Sequence, residues 1–253
     1  MPNERLQPIP VGSPTQQPLR FALRCLVDLQ LATIARPLRP ALQRLRGRVL
    51  DVGAGTAPWR GWIPAHCAYQ GIDVTYADEF AMGERSTTAD IVYYDGVTMP
   101  FGAETFDGAL CVEVLEHAPS PEALLSDIAR VLKPGAWFIL TVPWSARCHH
   151  RPHDYHRFTS EQLRRMLARH GFDVTALSER GDDIAAVANK VAVMTFALLS
   201  PVRSPVYVLR LAVGVALLPM SIAWLLAAHV SIRLHLGSKD DSLGYFVLAR
   251  RSA

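Results

Sequence analysis

The sequence RVLDVGAG, residues 48–55, joins an apolar run to a glycine-rich turn. The run has the length and the branched side chains of a buried strand, and Gly53 and Gly55 permit a sharp turn in which the backbone lies close to a ligand. A dinucleotide-binding turn would have a third glycine at position 58, where this chain has Pro58. The stretch therefore predicts a strand and a turn at a binding site for a ligand without a pyrophosphate group.

Further apolar runs alternate with helical segments on the C-terminal side of this turn. The runs are YQGIDV (69–74), ADIVYYDG (89–96), FDGALCVEV (106–114), AWFILTVP (136–143) and FDVTAL (172–177). We expect one intervening helix to begin after Ser120 and to end at Pro134-Gly135, and another to run from Thr159 to a stop at Gly171. Such alternation is typical of an α/β fold with a mainly parallel sheet.

Three aspartates recur at equal spacing along these runs. Asp51, Asp73 and Asp95 close the first three predicted strands and are 22 residues apart each time. One strand and one helix take about that many residues, and the ligands of open α/β sheets bind beyond the carboxyl ends of the strands. The spacing therefore predicts three carboxylates along one ligand-binding rim.

Four motifs resemble those of class I S-adenosylmethionine-dependent methyltransferases of the small-molecule type 11 branch: VLDVGAGTAPW, GIDV, DGVTMPFGAETFDGALCVEVLEH and DIARVLKPGAWFILTVP. The resemblance covers about Arg48 to Ser178 and departs from the family's third glycine at Thr56-Ala57. It implies S-adenosylmethionine as the cofactor and a Rossmann-like, seven-stranded, mainly parallel sheet with helices on both faces. The last strand of that sheet is antiparallel, and LGYFVLARR (243–251) has the alternation expected for it.

The resemblance also implies cofactor-binding roles for residues at the rim, namely Asp51, Gly53, Gly55, Asp73, Asp95, Gly96 and Glu113. By the family's pattern, the residues of the first turn border the methionine end of the cofactor, and Glu113 lies near the same end. Asp73 accepts hydrogen bonds from both ribose hydroxyls, and Asp95 with Gly96 lies at the adenine amino group.

The segment CHHRPHDYHRFT, residues 148–159, follows the fifth predicted strand and reaches the same rim. A hydroxyl or amine acceptor must lose a proton, so a base is expected within hydrogen-bond reach of it. We expect His153 to be this base, with His117 as the second candidate and Asp154 beside them. Asp154 has an alternative role as the partner of Arg151 or Arg157, which would tether the loop.

The distribution of histidines and cysteines argues against metal sites and disulfides. A metal site drawn from His149, His153, Asp154 and His156 matches no standard zinc spacing, and we expect no metal. The four cysteines, at positions 25, 67, 111 and 148, lie far apart and form neither a disulfide framework nor a zinc ribbon. Because the N-terminus also shows no secretory signal, we expect a cytoplasmic protein.

Two apolar stretches lie between the sixth and the last predicted strands: IAAVANKVAVMTFALL (184–199) and LAVGVALLPMSIAWLLAAHV (211–230). Both strands belong to one sheet, which excludes an odd number of membrane crossings between them. A paired span is disfavoured because Arg203 and Arg210 would then lie on the far side of the membrane. We expect helices partly immersed in one leaflet, with Arg203, Arg210 and Arg233 at the headgroups. A tight hairpin dipping into the membrane and a homodimer surface are the alternatives.

Seven arginines and a single acid, Asp28, lie between Arg20 and Arg48, with apolar residues among them. The pattern predicts a basic amphipathic helix, or a pair of helices broken near Pro37 and Pro40, that packs over the sheet or lies at a membrane surface. Nucleic acid is not an expected partner, because no binding motif or set of stacking aromatic residues accompanies the arginines.

These observations divide the chain into four parts. Residues 1–47 form a proline-rich tail and a basic helical extension, 48–180 the methyltransferase core, 181–236 the apolar helical insert, and 237–253 the final strand. The predicted function is methyl transfer from S-adenosylmethionine to a small-molecule or lipid-linked acceptor, as an O-methylation, at the cytoplasmic membrane surface. A membrane-attached, non-catalytic scaffold with the same fold is the alternative, and a nicotinamide oxidoreductase is a more distant one.

Overall fold

The computed structural model describes residue 6, residues 8–75 and residues 90–253. The described residues form a seven-stranded sheet in the order β3-β2-β1-β4-β5-β7-β6. The strand bounds are β1 Arg48–Val52, β2 Ala68–Val74, β3 Ile91–Tyr94, β4 Phe106–Val112, β5 Leu132–Pro143, β6 Phe172–Arg180 and β7 Gly244–Arg251. Strands β1 to β5 pair in parallel, whereas β7 is antiparallel to both β5 and β6. The predicted Rossmann-like, mainly parallel sheet is therefore confirmed.

Helices cover both faces of this sheet. The helix bounds are α1 Pro18–Val27, α2 Leu29–Leu42, α3 Pro121–Val131, α4 Ser160–Arg169, α5 Asp183–Leu199 and α6 Tyr207–Leu234. Leu125 of α3 and Leu163 of α4 pack in one core cluster together with Leu50 of β1. Ile34 of α2 packs in a second cluster with Val49, the neighbour of Leu50 on β1. Because successive strand residues point to opposite faces, the two clusters lie on the two sides of the sheet.

The break between α1 and α2 lies at Asp28 and not near the prolines. Asp28 has a non-helical backbone (φ −103°, ψ 89°), and its carboxylate caps α2 by accepting a hydrogen bond from the Leu31 amide at 3.0 Å. Pro37 and Pro40 lie inside α2. The predicted break at these prolines is wrong, because the buried face of α2 packs against the sheet and stabilises the helix despite its missing hydrogen bonds.

Helix α3 ends earlier than the sequence predicts. It stops at Val131 and β5 begins at Leu132, so that Pro134 and Gly135 lie within the strand. Leu132 is fully buried and pairs with Phe106 of β4. The predicted helix end at Pro134-Gly135 is therefore wrong, because burial of Leu132 in the sheet takes precedence over the helix-stop signal.

The apolar insert forms an antiparallel pair of helices, α5 and α6, called here the helical hairpin (residues 183–234). Asp182, at the start of α5, accepts a hydrogen bond at 2.7 Å from the hydroxyl of Ser231 near the end of α6. Halfway along the pair, the buried hydroxyls of Thr195 and Ser221 are 2.7 Å apart. These buried polar contacts fix the register of the two helices. Helix α6, with 28 residues, is long and apolar enough to cross a membrane by length and composition.

Candidate active site

The turn after β1 bends back onto β2. Gly53 and Gly55 have φ angles of 68° and 51°, which residues with side chains rarely adopt. The Gly53 amide donates a hydrogen bond to the Ile72 carbonyl at 2.9 Å. A Cβ atom on Gly53 would lie 2.3 Å from Val114, whereas a Cβ atom on Gly55 would meet no atom of the described residues within 4 Å. Local packing therefore requires Gly53, and Gly55 leaves open space in which a ligand can approach the backbone.

Asp73, near the end of β2, is hydrogen-bonded to this turn. Its carboxylate accepts hydrogen bonds from the Gly55 amide at 2.7 Å and from the Val74 amide at 2.8 Å. Asp95 directly follows β3, is exposed, and accepts a hydrogen bond from the Val97 amide at 2.9 Å. Both aspartates line the same cleft, as their spacing in the sequence predicts.

Asp51 lies deeper than the other two aspartates. The residue is 2% exposed, and its carboxylate accepts a hydrogen bond from the Tyr69 hydroxyl at 2.9 Å. Burial raises the pKa of Asp51 to about 7; the Tyr69 hydrogen bond lowers this pKa, and the nearby charge of Asp73 raises it. A ligand that brings a positive charge to the rim would favour the ionised form of this carboxylate.

Glu113 directly follows β4 in a left-handed conformation, with a φ angle of 54°. Its carboxylate forms an ion pair with Nη2 of Arg180 at 2.9 Å, and the Arg180 side chain is 1% exposed. The same nitrogen donates a hydrogen bond to the Val142 carbonyl at 3.1 Å. Arg180 thus holds Glu113 at the rim. Arg180 is the last residue of β6 and lies outside the sequence motifs, so its role was not predicted. Its charge at the end of a predicted strand was the only sequence feature that pointed to it.

The rings of the two predicted catalytic histidines, His117 and His153, have different surroundings. His117 lines the cleft, and its Nδ1 is 2.8 Å from the backbone oxygen of His153. Burial, followed by the neighbouring imidazole of His149, lowers the pKa of His117 to about 4. The ring of His153 instead contacts Tyr155, with 2.7 Å between Nδ1 and the hydroxyl oxygen. The geometry therefore favours the second candidate, His117, over the first.

Asp154 is held in a structural arrangement. Its side chain is 1% exposed and accepts two hydrogen bonds from the guanidinium of Arg157. It also accepts a hydrogen bond from the His149 amide at 3.0 Å. Burial opposes ionisation of Asp154, but the hydrogen bonds from Arg157 and His149 outweigh it and lower the pKa of Asp154 below its usual range. Asp154 therefore tethers its loop through Arg157, one of the two partners considered for it.

His149 and His150 lie beside His117 in the folded chain. One ring nitrogen from each of these three histidines lies within 4.8 Å of one from each of the others. This set differs from the four residues considered as metal ligands from their spacing. His156 of that set is directed elsewhere, with its Nε2 3.1 Å from the backbone oxygen of Ala118.

A cleft of about 1870 Å³ connects these groups. Its lining includes every residue predicted to bind the cofactor: Asp51, Gly53, Gly55, Asp73, Asp95, Gly96 and Glu113. Another part of its lining comes from the helical hairpin and is mainly apolar, with Val193, Phe196, Leu218, Ile222 and Leu225. The insert therefore contributes a wall of the site, and no motif in the sequence marks these wall residues.

Comparison with known proteins identifies the family. The methyltransferase domain family matches residues 27–177. The 24-methylenesterol C-methyltransferase 3 of Arabidopsis thaliana is 30% identical over 161 residues, which are 57% of this chain and 41% of that protein. The O-methyltransferase rstn1 of Aspergillus nomiae is 29% identical over 119 residues, which are 44% of this chain and 53% of that protein. The chain thus spans about half the length of these relatives, or less.

A solved structure shows the same fold. The S-adenosylmethionine-dependent methyltransferase of Mesorhizobium loti superposes with a TM-score of 0.51 and 17% identity, covering 88% of this chain and 100% of that chain. The rim fits the cofactor that this family implies, because open space over Gly55 admits a ligand to the turn and the buried carboxylate of Asp51 suits a cationic one. The chain therefore belongs to the methyltransferase domain family.

Proposed function

We propose that the protein transfers a methyl group from S-adenosylmethionine to an oxygen atom of a lipid-soluble or lipid-linked acceptor at a membrane surface. The observation that carries this proposal is the cleft, which is lined both by the predicted cofactor rim and by apolar residues of the helical hairpin. When bound, the cofactor supplies a methyl group already activated by a sulfonium. The protein has to bind and align the reactants and exclude water.

The rim residues would hold the cofactor by complementary groups. Asp73, which accepts hydrogen bonds from two backbone amides, would bind the ribose hydroxyls. Asp51, with Gly53 and Gly55, would border the methionine end, where its carboxylate would face positive charge. Glu113, held by Arg180, would lie near the same end, and Asp95 with Gly96 at the adenine.

The hairpin side of the cleft, where we place the acceptor, is mainly apolar and reaches the protein surface. Phe196 and Ile222 both line the cleft, and each is 56% exposed. The cleft therefore opens onto an exposed apolar surface of the hairpin, through which a lipid-soluble molecule can enter without crossing water. The names of the relatives, a methylenesterol C-methyltransferase and an O-methyltransferase, agree with small-molecule acceptors.

An acceptor hydroxyl must also lose its proton. Three histidines line the cleft, His117, His149 and His150. We place the loss of the proton at this histidine cluster and not at His153, whose ring contacts the Tyr155 hydroxyl.

An exposed apolar surface of α1 and α6 supports the membrane contact. Nε2 of His229 in α6 is 2.9 Å from the backbone oxygen of Leu26 in α1, so the two helices adjoin. Leu23 and Leu26 of α1 are 56% and 57% exposed, and Leu226 and Val230 of α6 are 63% and 49% exposed. Contiguous exposed apolar surface of this kind marks a membrane or protein contact. We propose that it lies in the cytoplasmic leaflet of the membrane.

Exposed arginines lie near both ends of α6, one before the helix and one in its last turn. Arg203 and Arg233 are exposed and available to anionic headgroups. Arg210, which the sequence also assigns to the headgroups, donates a hydrogen bond to the Ala197 carbonyl at 2.7 Å at the end of α5. A second copy of the chain is the other occupant that the apolar surface could take, and vesicle binding distinguishes the two.

The test of the proposed function is methyl transfer to paired acceptors. Hydroxylated isoprenoid quinone precursors in detergent micelles are compared with their short-chain, water-soluble analogues, using a cofactor labelled in the methyl group. We expect transfer to the apolar acceptors to be at least tenfold more efficient, a difference of about 1.4 kcal/mol. The Asp73→Asn variant should show little transfer to either acceptor. Equal efficiency on both forms would contradict a membrane-derived acceptor, and no transfer to either form by a cofactor-binding protein would contradict this class of acceptor.

A further inference from the structure

We infer that His117, His149 and His150 form a binding site for a divalent metal ion of the zinc class. Their ring centroids are 4.8 Å, 5.3 Å and 5.2 Å apart, and one nitrogen from each ring lies within 4.8 Å of the others. Nitrogens bound to one tetrahedral zinc ion stand roughly 3.4 Å apart. The three rings need to close by on the order of 1 Å, which side-chain rotation can provide.

The hydrogen bonds of two of these rings select the tautomer that a metal ligand needs. Nδ1 of His117 is 2.8 Å from the backbone oxygen of His153, and Nδ1 of His149 is 3.1 Å from that of Arg147. A carbonyl oxygen can only accept a hydrogen bond, so Nδ1 carries the proton in both rings. Nε2 of each ring therefore keeps its lone pair, as in metal-bound histidines whose second nitrogen donates to a carbonyl or carboxylate.

A carboxylate also completes the outer part of this arrangement. Oδ2 of Asp154 lies 3.3 Å from Nδ1 of His149. Metal-bound histidines are commonly oriented by such a carboxylate, which also raises the basicity of the ring. Asp154 is itself fixed by Arg157, so this ion pair orients the His149 ring through its Nδ1 and leaves Nε2 for a metal ion.

A second observation, independent of the rings, points to a cation. Glu116 is fully buried, and no other residue among those described donates a hydrogen bond to either of its carboxylate oxygens. Its Oε1 lies 3.7 Å from Nε2 of His117. A buried carboxyl group without a hydrogen-bond partner is costly in either protonation state, and a bound cation beside it would provide a partner for its oxygens.

The ligand type and the location define the class of ion. Imidazole nitrogens suit Zn²⁺ and its transition-metal neighbours, whereas Mg²⁺ and Ca²⁺ prefer oxygen ligands. All three histidines line the cleft, so a three-ligand site would leave an open position toward it. This inference concerns binding alone and needs neither the cofactor nor the acceptor, so it can fail while the proposed function holds, and the reverse. A bound ion would occupy the Nε2 lone pairs of His117 and His149, so in the metal-bound protein the proton acceptor at this cluster would be a hydroxide at the open position of the ion and not an imidazole.

The experiment is a titration of the tag-free, chelator-treated full chain with Co²⁺, followed by visible absorption, and then displacement with Zn²⁺. We expect one ion per chain with the intense absorption of a tetrahedral site. His150→Ala should weaken binding by a factor of about 100 or more. His66→Ala, at an exposed histidine outside the cluster, is the matched control and should bind as the unaltered protein does. Cys148→Ser tests the neighbouring exposed thiol and should also leave binding unchanged.

Two results would overturn the inference. One is the absence of stoichiometric Co²⁺ and Zn²⁺ binding, and the other is binding that His150→Ala leaves intact. Far-ultraviolet circular dichroism reports whether each variant folds. If His150→Ala does not fold, His149→Gln and His117→Gln provide the same comparison, because each removes one ligand and retains a polar side chain.

Discussion

At the scale of single residues, the buried carboxylate of Asp51 makes cofactor affinity depend on pH. Its pKa is raised to about 7, so most of it is neutral below that pH in the ligand-free protein. A positively charged cofactor favours the ionised form, and binding at low pH must therefore remove a proton. We expect the affinity for S-adenosylmethionine to fall about tenfold between about pH 8 and about pH 6. Calorimetric titration across this range measures the effect.

The matched variant for this prediction is Asp51→Asn, which keeps the shape of the side chain and does not titrate. Titration of the cofactor's own amino group affects both proteins equally and cancels in the comparison. The variant should bind more weakly at about pH 8 and lose the additional pH dependence. The same pH dependence in both proteins would show that Asp51 does not sense the charge of the cofactor.

The two glycines of the first turn should respond differently to alanine. A Cβ atom on Gly53 would lie 2.3 Å from Val114, so Gly53→Ala combines a clash with backbone strain. We expect it to lower the free energy of unfolding by about 2–4 kcal/mol. In the part of the chain that the structure describes, the new methyl group of Gly55→Ala meets no atom within 4 Å, so this variant should cost about 1 kcal/mol through its φ angle alone. Urea denaturation measures both, and equal losses would contradict the packing argument.

At the scale of elements, a buried pair of hydroxyls contributes to the stability of the helical hairpin. Thr195→Val leaves the buried hydroxyl of Ser221 without its partner, so we expect a loss of about 1–3 kcal/mol in the free energy of unfolding. Adding Ser221→Ala removes the orphaned hydroxyl and should restore part of this loss. Thermal denaturation in detergent gives the comparison, and strictly additive losses would show that the two hydroxyls do not interact.

Capping and helix-stop residues predicted the ends of an element correctly where packing against the sheet did not favour a different end. Helix α4 begins with the Thr159 hydroxyl accepting a hydrogen bond from the Gln162 amide at 3.2 Å and ends before Gly171, at a φ angle of 76°. Pro37 and Pro134 had equally clear local signals, and both were overridden by packing against the sheet. The helices and strands could thus be predicted from the sequence, but the break near Pro37 and the end of α3 near Pro134 were determined by burial.

The candidate site divides in the same way. The rim could be predicted because Asp51, Asp73 and Asp95 repeat with the period of one strand and helix, and each lines the cleft. The ion pair of Arg180 with Glu113 joins residues 67 positions apart and leaves no local pattern. The choice between His117 and His153 depends on how one loop folds, which spacing does not determine.

At the scale of the whole molecule, the apolar surface shared by α1 and α6 should hold the protein at a membrane. Leu226→Glu combined with Val230→Glu adds two negative charges at exposed positions, so the fold should persist. We expect flotation with anionic vesicles to fall about tenfold. Two apolar side chains that would insert into the membrane are lost, and the added negative charges are repelled by the anionic lipids. Arg164→Glu changes the net charge equally at an exposed site on α4, on the other side of the sheet from α2. This control should still float.

Light scattering of the same proteins shows whether the apolar surface binds a membrane or a second copy of the chain. If the surface is a homodimer interface, the double variant becomes a monomer while the unaltered protein is a dimer that does not bind vesicles. That combination of results would contradict the membrane proposal and assign the surface to self-association.

Calorimetric titration with S-adenosylhomocysteine tests most directly whether the rim binds a cofactor of the S-adenosylmethionine type. The detergent-purified protein should bind one molecule per chain. Asp73→Ala should weaken binding by a factor of about 100 or more, since two hydrogen bonds to a charged carboxylate are lost. No binding by a protein that circular dichroism shows to be folded would contradict the account and favour a non-catalytic scaffold whose working part is the helical hairpin.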